Sequence, residues 1–377
     1  MLVQSPVAGD ARVIREAATL AAAGHDVHIV GRDVPDDFAP PVGVVAESVG
    51  RARGLRPGGR VRQSRDPMAV RTARWLLLPE HRARVERAWE RGVRALLAAG
   101  PPADVVHAHD FNTLELGACL ARRWEAKLVY DTHEYWSGRP RVGRPSPFRS
   151  ARDRQIERTL GGRADVVLTV GEGVADALRR DYGWDRVSIV RNTFEPRAAP
   201  ATSMTTPSAA VYAGRLAPYR ELEVIAAASR GVELPIVLVG PVDPAWLAGF
   251  DPGEAEIRPP ATLDQVDELL AGAGLALVTH SDRWPNHRLA LPNKLFHAVR
   301  VGVPVVATDV GELGRTVREH GLGTLYRPGD VAGITDAIAE AVDTYPALRK
   351  AVSKAMPQLS WERDEKNLLD AYAELAR

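Results

Sequence analysis

The sequence predicts an α/β protein built from two doubly wound, Rossmann-like halves. Short apolar runs alternate with helix-period segments along almost the whole chain, which is the signature of βαβ units and a parallel sheet. The alternation stops once, at residues 194–208 (FEPRAAPATSMTTPS), a stretch of Pro, Ala, Ser and Thr with no apolar period, and then restarts. A chain of 377 residues also exceeds one domain at roughly 100–200 residues per domain.

The elements follow in order. In the first half, residues 2–6, 26–30, 105–109, 127–131, 166–170 and 187–190 are short apolar runs and read as strands. Helical periodicity covers residues 11–23, closed by Gly24, then 68–99 with a break near Pro79, then 114–123 and 174–182. In the second half, residues 210–213, 236–240, 275–279 and 303–308 read as strands separated by helices. The expected division is a first domain over 1–193, a linker over 194–208 and a second domain over 209–360. The final helix, 361–377, can pack on either half, back on the first domain being one of the two options. No repeat of 20–50 residues is visible, so a solenoid is not expected.

Composition removes several classes of function. With 49 basic and 48 acidic side chains there is no basic excess of the kind a nucleic-acid binder carries. No run approaches ~18 apolar residues, and MLVQSPVAGDAR does not read as a secretory signal, so a cytoplasmic protein is expected. Cys119 is the only cysteine, which excludes intramolecular disulfides and thiolate metal clusters. The balance hides an asymmetry. Residues 1–200 hold 32 Lys/Arg against 25 Asp/Glu, and the remainder holds 17 against 23. Thirteen arginines lie between Arg51 and Arg94 and eight between Arg139 and Arg163. They are either solvated helix faces or a surface that attracts an anionic partner.

Ligands of open α/β sheets bind at the carboxyl ends of the strands, so the loops after the strands are where chemistry is sought. The first strand leads through Pro6-Val7-Ala8-Gly9-Asp10 into a helix, a turn where a glycine lets backbone approach a ligand and a helix N-terminus favours anions. It is not G-x-G-x-x-G, which counts against a nicotinamide or flavin dehydrogenase. Two further loops, His107-Ala108-His109-Asp110 and Tyr130-Asp131-Thr132-His133-Glu134, pair histidine with acids at strand ends. Neither has H-E-x-x-H spacing, so no metal site is expected, and recognition of substrate hydroxyls or phosphate suits them better. His107 also reads as a buried core histidine. In the second half, Gly214–Arg220 places two arginines five residues apart before a helix, Asn293 and Lys294 open another, and Gly311-Glu312 a third. Fixed guanidinium groups and helix N–H donors suit a diphosphate.

The segments VVHAHDFNTLELG, LVYDTHE, VVLTVGEGVADAL, VYAGRLAPYRELE and LPNKLFHAVRVGVPVVATDVGELGRTV resemble glycosyltransferase family 4, over nearly the whole chain and in the family's order. The resemblance implies the GT-B fold, two Rossmann-like domains facing a cleft, and a retaining, metal-independent enzyme with no cofactor that uses a nucleotide-diphosphate sugar. It implies that Gly9 lies near the donor diphosphate, that His133 is the active-site histidine, and that Arg215 and Arg220 hold the diphosphate, the second replacing the family's usual lysine. Asn293 and Lys294 match a P-N-K loop near phosphate or sugar. The family's E-x7-E pair falls here on Leu289 and His297, so ribose recognition passes to His297 or to Glu312. The acceptor is expected on the first domain, near His109, Asp110, Glu134 and Arg139.

The implied partners are a UDP- or GDP-linked sugar and a small-molecule, glycan or lipid-linked acceptor, with peripheral membrane contact open. Two alternatives remain. One is a GT-B-shaped nucleotide-sugar 2-epimerase using Asp110, Asp131 and Glu134. The other is an auxiliary homologue that binds a nucleotide sugar, suggested by Leu289 and His297.

Overall fold

The computed structural model describes residues 1–49, 68, 81–98, 100–139, 147–197 and 204–375. The chain divides into two compact units. The first comprises Met1–Thr169, Leu178–Ser188 and Asn367–Arg377, and the second Val170–Ala177 and Ile189–Lys366.

The first unit is built on a seven-stranded sheet: β1 (Leu2–Pro6), β2 (Val27–Arg32), β3 (Val44–Ser48), β4 (Val105–His109), β5 (Lys127–Thr132), β6 (Val166–Thr169) and β7 (Val187–Ile189). Their order is β3-β2-β1-β4-β5-β6-β7, and the pairs from β3 to β6 are parallel. A parallel sheet is covered on both faces, and β4 shows the consequence: Val106, His107, Ala108 and His109 are all buried. Two helices matter for the site, α1 (Ala11–Ala22) after β1 and α2 (Phe111–Trp124) after β4. Gly117 on α2 packs directly on the sheet, since a Cβ there would lie 2.8 Å from the Ala108 Cβ.

The second unit repeats the plan with β8 (Ala209–Ala213), β9 (Ile236–Val239), β10 (Glu256–Arg258), β11 (Gly274–Val278), β12 (Val305–Thr308) and β13 (Gly323–Tyr326). The order is β10-β9-β8-β11-β12-β13, parallel throughout. Its apolar core lies on both faces, around Val211, Leu295 and Phe296 on one and Tyr212, Leu216 and Leu277 on the other. In each sheet the chain order reverses once, between β1 and β4 and between β8 and β11. The carboxyl ends flanking such a reversal form the crevice where ligands enter.

Three strands went unforeseen. β3, β10 and β13 are edge strands whose sequences, VVAES, EIR and GTLY, are short or polar on one side. Helix α2 begins three residues earlier than the periodicity suggests, with Asp110 at its N-cap. Of the expected linker, residues 194–197 and 204–208 are described. Phe194 is buried in the second core, and Arg197 pairs with Asp264 and Asp267. Of the expected helix 68–99, residues 68 and 81–98 are described, and the helix among them spans His81–Leu96. Arg141, Arg144 and the arginines of 51–80 lie outside the described residues. Among the described residues no helix is long and apolar enough to cross a membrane.

Candidate functional site

In the first unit, the ends of β1, β4 and β5 bring one ionic network together. The turn Val7–Gly9 is followed by Asp10, which accepts from the Val13 N–H and caps α1. Gly9 is exposed, and a Cβ there would meet nothing within 4 Å. The chain itself therefore does not require glycine at this position.

One turn into α1, Arg12 reaches across to β5 and donates twice to Asp131, at 2.8 Å from Nε and 2.7 Å from Nη2. Arg12 Nε also lies 3.0 Å from Glu16 Oε1. Asp131 Oδ2 in turn lies 3.1 Å from both His109 Nδ1 and His133 Nε2. His133 faces a second carboxylate, with Nδ1 3.5 Å from Asp110 Oδ2. Beneath this, His107 stacks on His109 with ring centres 4.1 Å apart, and its Nδ1 lies 2.8 Å from the hydroxyl of Tyr372 in the C-terminal helix Trp361–Leu375.

These contacts decide the charges. Burial opposes ionisation of Asp131, but Arg12, His133 and His109 overcome it and hold the carboxyl well below its ordinary range. Burial likewise works against a charged His133, yet Asp110 and Asp131 raise it to about 9. His133 is therefore an imidazolium at neutral pH, a hydrogen-bond donor and not a base. His107 and His109 are pushed down by burial and stay neutral, while Glu16 is pushed up to about 8 by burial, against Arg12, and stays protonated.

Asp110 has φ 64° and ψ 161°, a backbone conformation that costs a non-glycine residue about 1–3 kcal/mol and is typical of functional positions. Glu134 pairs with Arg139 at 3.3 Å. Arg139 also lies 3.0 Å above the Trp136 ring, which stacks on Phe111. Arg139, expected as a cation for an acceptor's anionic group, is thus engaged within the turn and only 17% exposed.

Glu16, His107, His109 and Asp131 are the group of described residues whose ligand atoms converge, all within 4.8 Å. The donor set resembles a metal centre, but Arg12 already lies against both carboxylates. Its charge occupies the role a divalent ion would fill, so the residues present fit a metal poorly.

In the second unit, the loop after β8 carries Arg215, exposed, and Arg220, half-buried. Among the described residues neither side chain has a hydrogen bond or an ion pair. The loop is pinned by the buried Thr279, whose hydroxyl donates to the Arg220 carbonyl at 2.6 Å, and by the Tyr212 hydroxyl on the Arg215 carbonyl at 3.2 Å. Gly240 permits this convergence of strand ends: with φ 146°, a Cβ there would lie 2.1 Å from the Gly214 carbonyl oxygen.

Helix α3 (Asn293–Arg300) presents Asn293, exposed, and Lys294 in its first turn. Lys294 Nζ lies 3.4 Å from the Thr279 carbonyl and 4.5 Å from the centre of the Tyr212 ring. No carboxylate among the described residues pairs with it. Burial, then the Arg220 charge, lowers Lys294 to about 7.

His297 and Glu312, expected at the ribose, are both occupied. His297 packs on Phe194 at 4.2 Å with Nδ1 3.3 Å from Asp267, which Arg300 also meets. Glu312, in the helix Gly311–His320, pairs with Arg315. Sequence reasoning missed Arg12 as the partner of Asp131, Tyr372 and, after β11, His280. The rule that strand ends carry chemistry would have found His280 had it been applied to V-T-H-S.

With this geometry in place, the comparisons with known proteins are direct. Residues 9–193 match the glycosyl transferase 4-like domain and residues 207–344 the glycosyl transferases group 1 domain. The chain is a glycosyltransferase of this two-domain family.

Glycogen synthase of Mycobacterium tuberculosis is 25% identical over 98% of this chain and 91% of its own length. A D-inositol 3-phosphate glycosyltransferase of Streptomyces bingchenggensis is 24% identical over 77% of this chain and 71% of its own. Among solved structures, sucrose-phosphate synthase from Thermosynechococcus elongatus superposes with TM-score 0.72 at 18% identity, covering all of this chain and 98% of that one. Anabaena HepE in complex with UDP-glucose superposes at 0.63 and 15%, covering 99% and 98%. The glycosyltransferase has the GT-B fold of these neighbours.

Proposed function

We propose that this glycosyltransferase moves a sugar from a nucleotide-diphosphate donor to an acceptor hydroxyl with retention at the anomeric carbon, assisted by side-chain cations and needing no metal. The observation that carries the reading is the group Arg215, Arg220 and Lys294 beside the reversal point of the second sheet. Three cations without a carboxylate partner among the described residues make a site that lacks its anion. A diphosphate supplies that anion, and the structural neighbour HepE has been solved with UDP-glucose.

In the reaction the bond between the anomeric carbon and the diphosphate oxygen breaks, and the electron pair leaves with the phosphate. Arg215, Arg220 and Lys294 stabilise the charge that develops there. The acceptor oxygen bonds to the same face of the sugar, and its proton passes to the departing phosphate oxygen. His133, an imidazolium, donates to an oxygen of the sugar or acceptor. Asp131 is held low and tied to Arg12, which makes it a poor proton acceptor and speaks against the epimerase alternative.

The test is a binding and turnover panel of UDP-, GDP-, ADP- and dTDP-sugars, with the anomeric configuration of any product read by NMR. Binding of one donor class, release of its nucleoside diphosphate and a product of retained configuration are expected. An inverted product overturns the stereochemical part. Failure of every donor to bind overturns the reading as a whole.

A further inference from the structure

His280 stands at the reversal point of the second sheet, two residues past the end of β11. It is 6% exposed, and neither ring nitrogen has a hydrogen-bond partner among the described residues. Its backbone is fixed, since its N–H donates to the Thr308 hydroxyl at 2.9 Å. Its neighbour Thr279 ties it to the cations, the Thr279 hydroxyl bonding the Arg220 carbonyl and the Thr279 carbonyl meeting Lys294 Nζ. A buried polar ring with both nitrogens unsatisfied is costly, and native proteins seldom keep one without a reason. The other histidine nearby, His287, with its ring centre 5.5 Å away, is satisfied by Ser281.

We infer that His280 is a donor-binding residue whose imidazole hydrogen-bonds a hydroxyl of the sugar being transferred. The chemistry selects this ligand. Burial, and after it the charges of Lys294 and Arg220, keep the ring unprotonated. A neutral imidazole offers one donor and one acceptor. Phosphate oxygens only accept and are already matched by the three cations. A hydroxyl both donates and accepts, so it complements the ring as a phosphate does not. The inference rests on the nucleotide-sugar reading above.

The experiment compares wild type with His280→Ala and His280→Asn. It measures the affinity of the free nucleoside diphosphate and kcat/KM for the intact donor and its monodeoxy-sugar analogues. Free nucleotide affinity is expected to stay within about twofold in both variants, because the cations are untouched. For the intact donor, His280→Ala is expected to lower kcat/KM by about 10- to 100-fold, the worth of one lost buried hydrogen bond. One deoxy donor is expected to be poor with wild type and no worse with His280→Ala, and His280→Asn to recover part of the loss.

Equal loss of nucleotide and donor affinity in His280→Ala overturns the assignment, because the ring then serves the phosphates or the loop. Unchanged donor kinetics overturn it as well. If the wild-type protein binds no nucleoside diphosphate at all, it is the underlying reading that fails.

Discussion

Lys294 has a charge that its own unit does not neutralise, and this makes donor binding depend on pH in a defined direction. Its ammonium is lowered from the ordinary lysine value to about 7 by burial and by Arg220. A diphosphate favours the protonated form, so the bound value must be higher. Below pH 7 the lysine is already charged, and affinity for a nucleotide sugar should be flat. Above pH 7 binding must take up a proton, and affinity should weaken by up to about tenfold per pH unit. Calorimetry in buffers of different ionisation enthalpy would read the proton uptake directly. Lys294→Met should bind more weakly and lose the slope. A wild-type profile that stays level to pH 9 would rule out Lys294 as a phosphate ligand.

In the first unit the shifts are upward instead, and there it is stability that falls as pH rises. His133 is raised to about 9, so its contribution to stability is complete below the ordinary histidine value and is lost as pH rises through 9. Glu16 is raised to about 8, so the folded state holds a proton that the unfolded chain releases above its ordinary value near 4.5. Both make the first unit less stable as pH climbs from about 5 to 9. Glu16→Gln keeps the neutral form permanently and should be more stable than wild type at pH 8 by at least about 1.4 kcal/mol, one pKa unit's worth. The two should converge near pH 4. Denaturant unfolding at the two pH values checks this. Asp131→Asn should also move the His133 titration, followed by NMR, down from about 9 by at least one unit.

At the scale of elements, the turn after β1 gives the cleanest separation of fold from function. The structure has room for a Cβ at Gly9, and its backbone is not in the left-handed region. Gly9→Ala should therefore leave the melting temperature within a degree or two. If donor or acceptor approaches this turn, as the family resemblance implies, kcat/KM should fall by at least about tenfold. An alanine variant with full activity would remove the turn from the site.

The same scale shows what could be read in the chain before its structure. The central strands were legible because buried parallel strands are continuous apolar runs such as VVLT and IVLV. Edge strands such as Glu256–Arg258 were not, since one polar edge erases that signal. Arg215 and Arg220 share the single loop after β8, and Asn293 and Lys294 share the first turn of α3, so local sequence was enough to bring each pair together. The bond from Arg12 to Asp131 spans 119 residues and that from Tyr372 to His107 spans 265, distances at which no local pattern reports a partner. His297 shows the reverse relation between local pattern and packing. Its alignment with a ribose ligand was visible, whereas its engagement by Asp267 and Phe194 was set by packing.

For the whole molecule, the chain's route between its two units leads to a prediction about how they fail. The final helix belongs to both, Asn367–Arg377 clustering with the first unit and the residues before it with the second. Asp364 holds Arg191 and Thr193 within the second unit. Two turns later Tyr372 is buried in the first, with its hydroxyl in hydrogen-bond contact with His107 Nδ1, three residues before Asp110 and beneath the His109–Asp131–His133 network. Tyr372→Ala removes a large buried ring, a change that typically costs about 3–5 kcal/mol, and leaves His107 with both nitrogens unsatisfied. The loss should be confined to the unit that contains His133. The Arg220–Lys294 group belongs to the second unit, so nucleotide affinity at low temperature should match wild type, while transfer activity falls and the lower-melting transition moves down. Saturating nucleotide should then raise only the second unit's transition, by the amount its affinity dictates, about 2.7 kcal/mol at one hundred times Kd. A single transition that nucleotide raises as a whole, in wild type and Tyr372→Ala alike, would mean that the units unfold as one cooperative body. In that case Tyr372 would act on the stability of the entire chain.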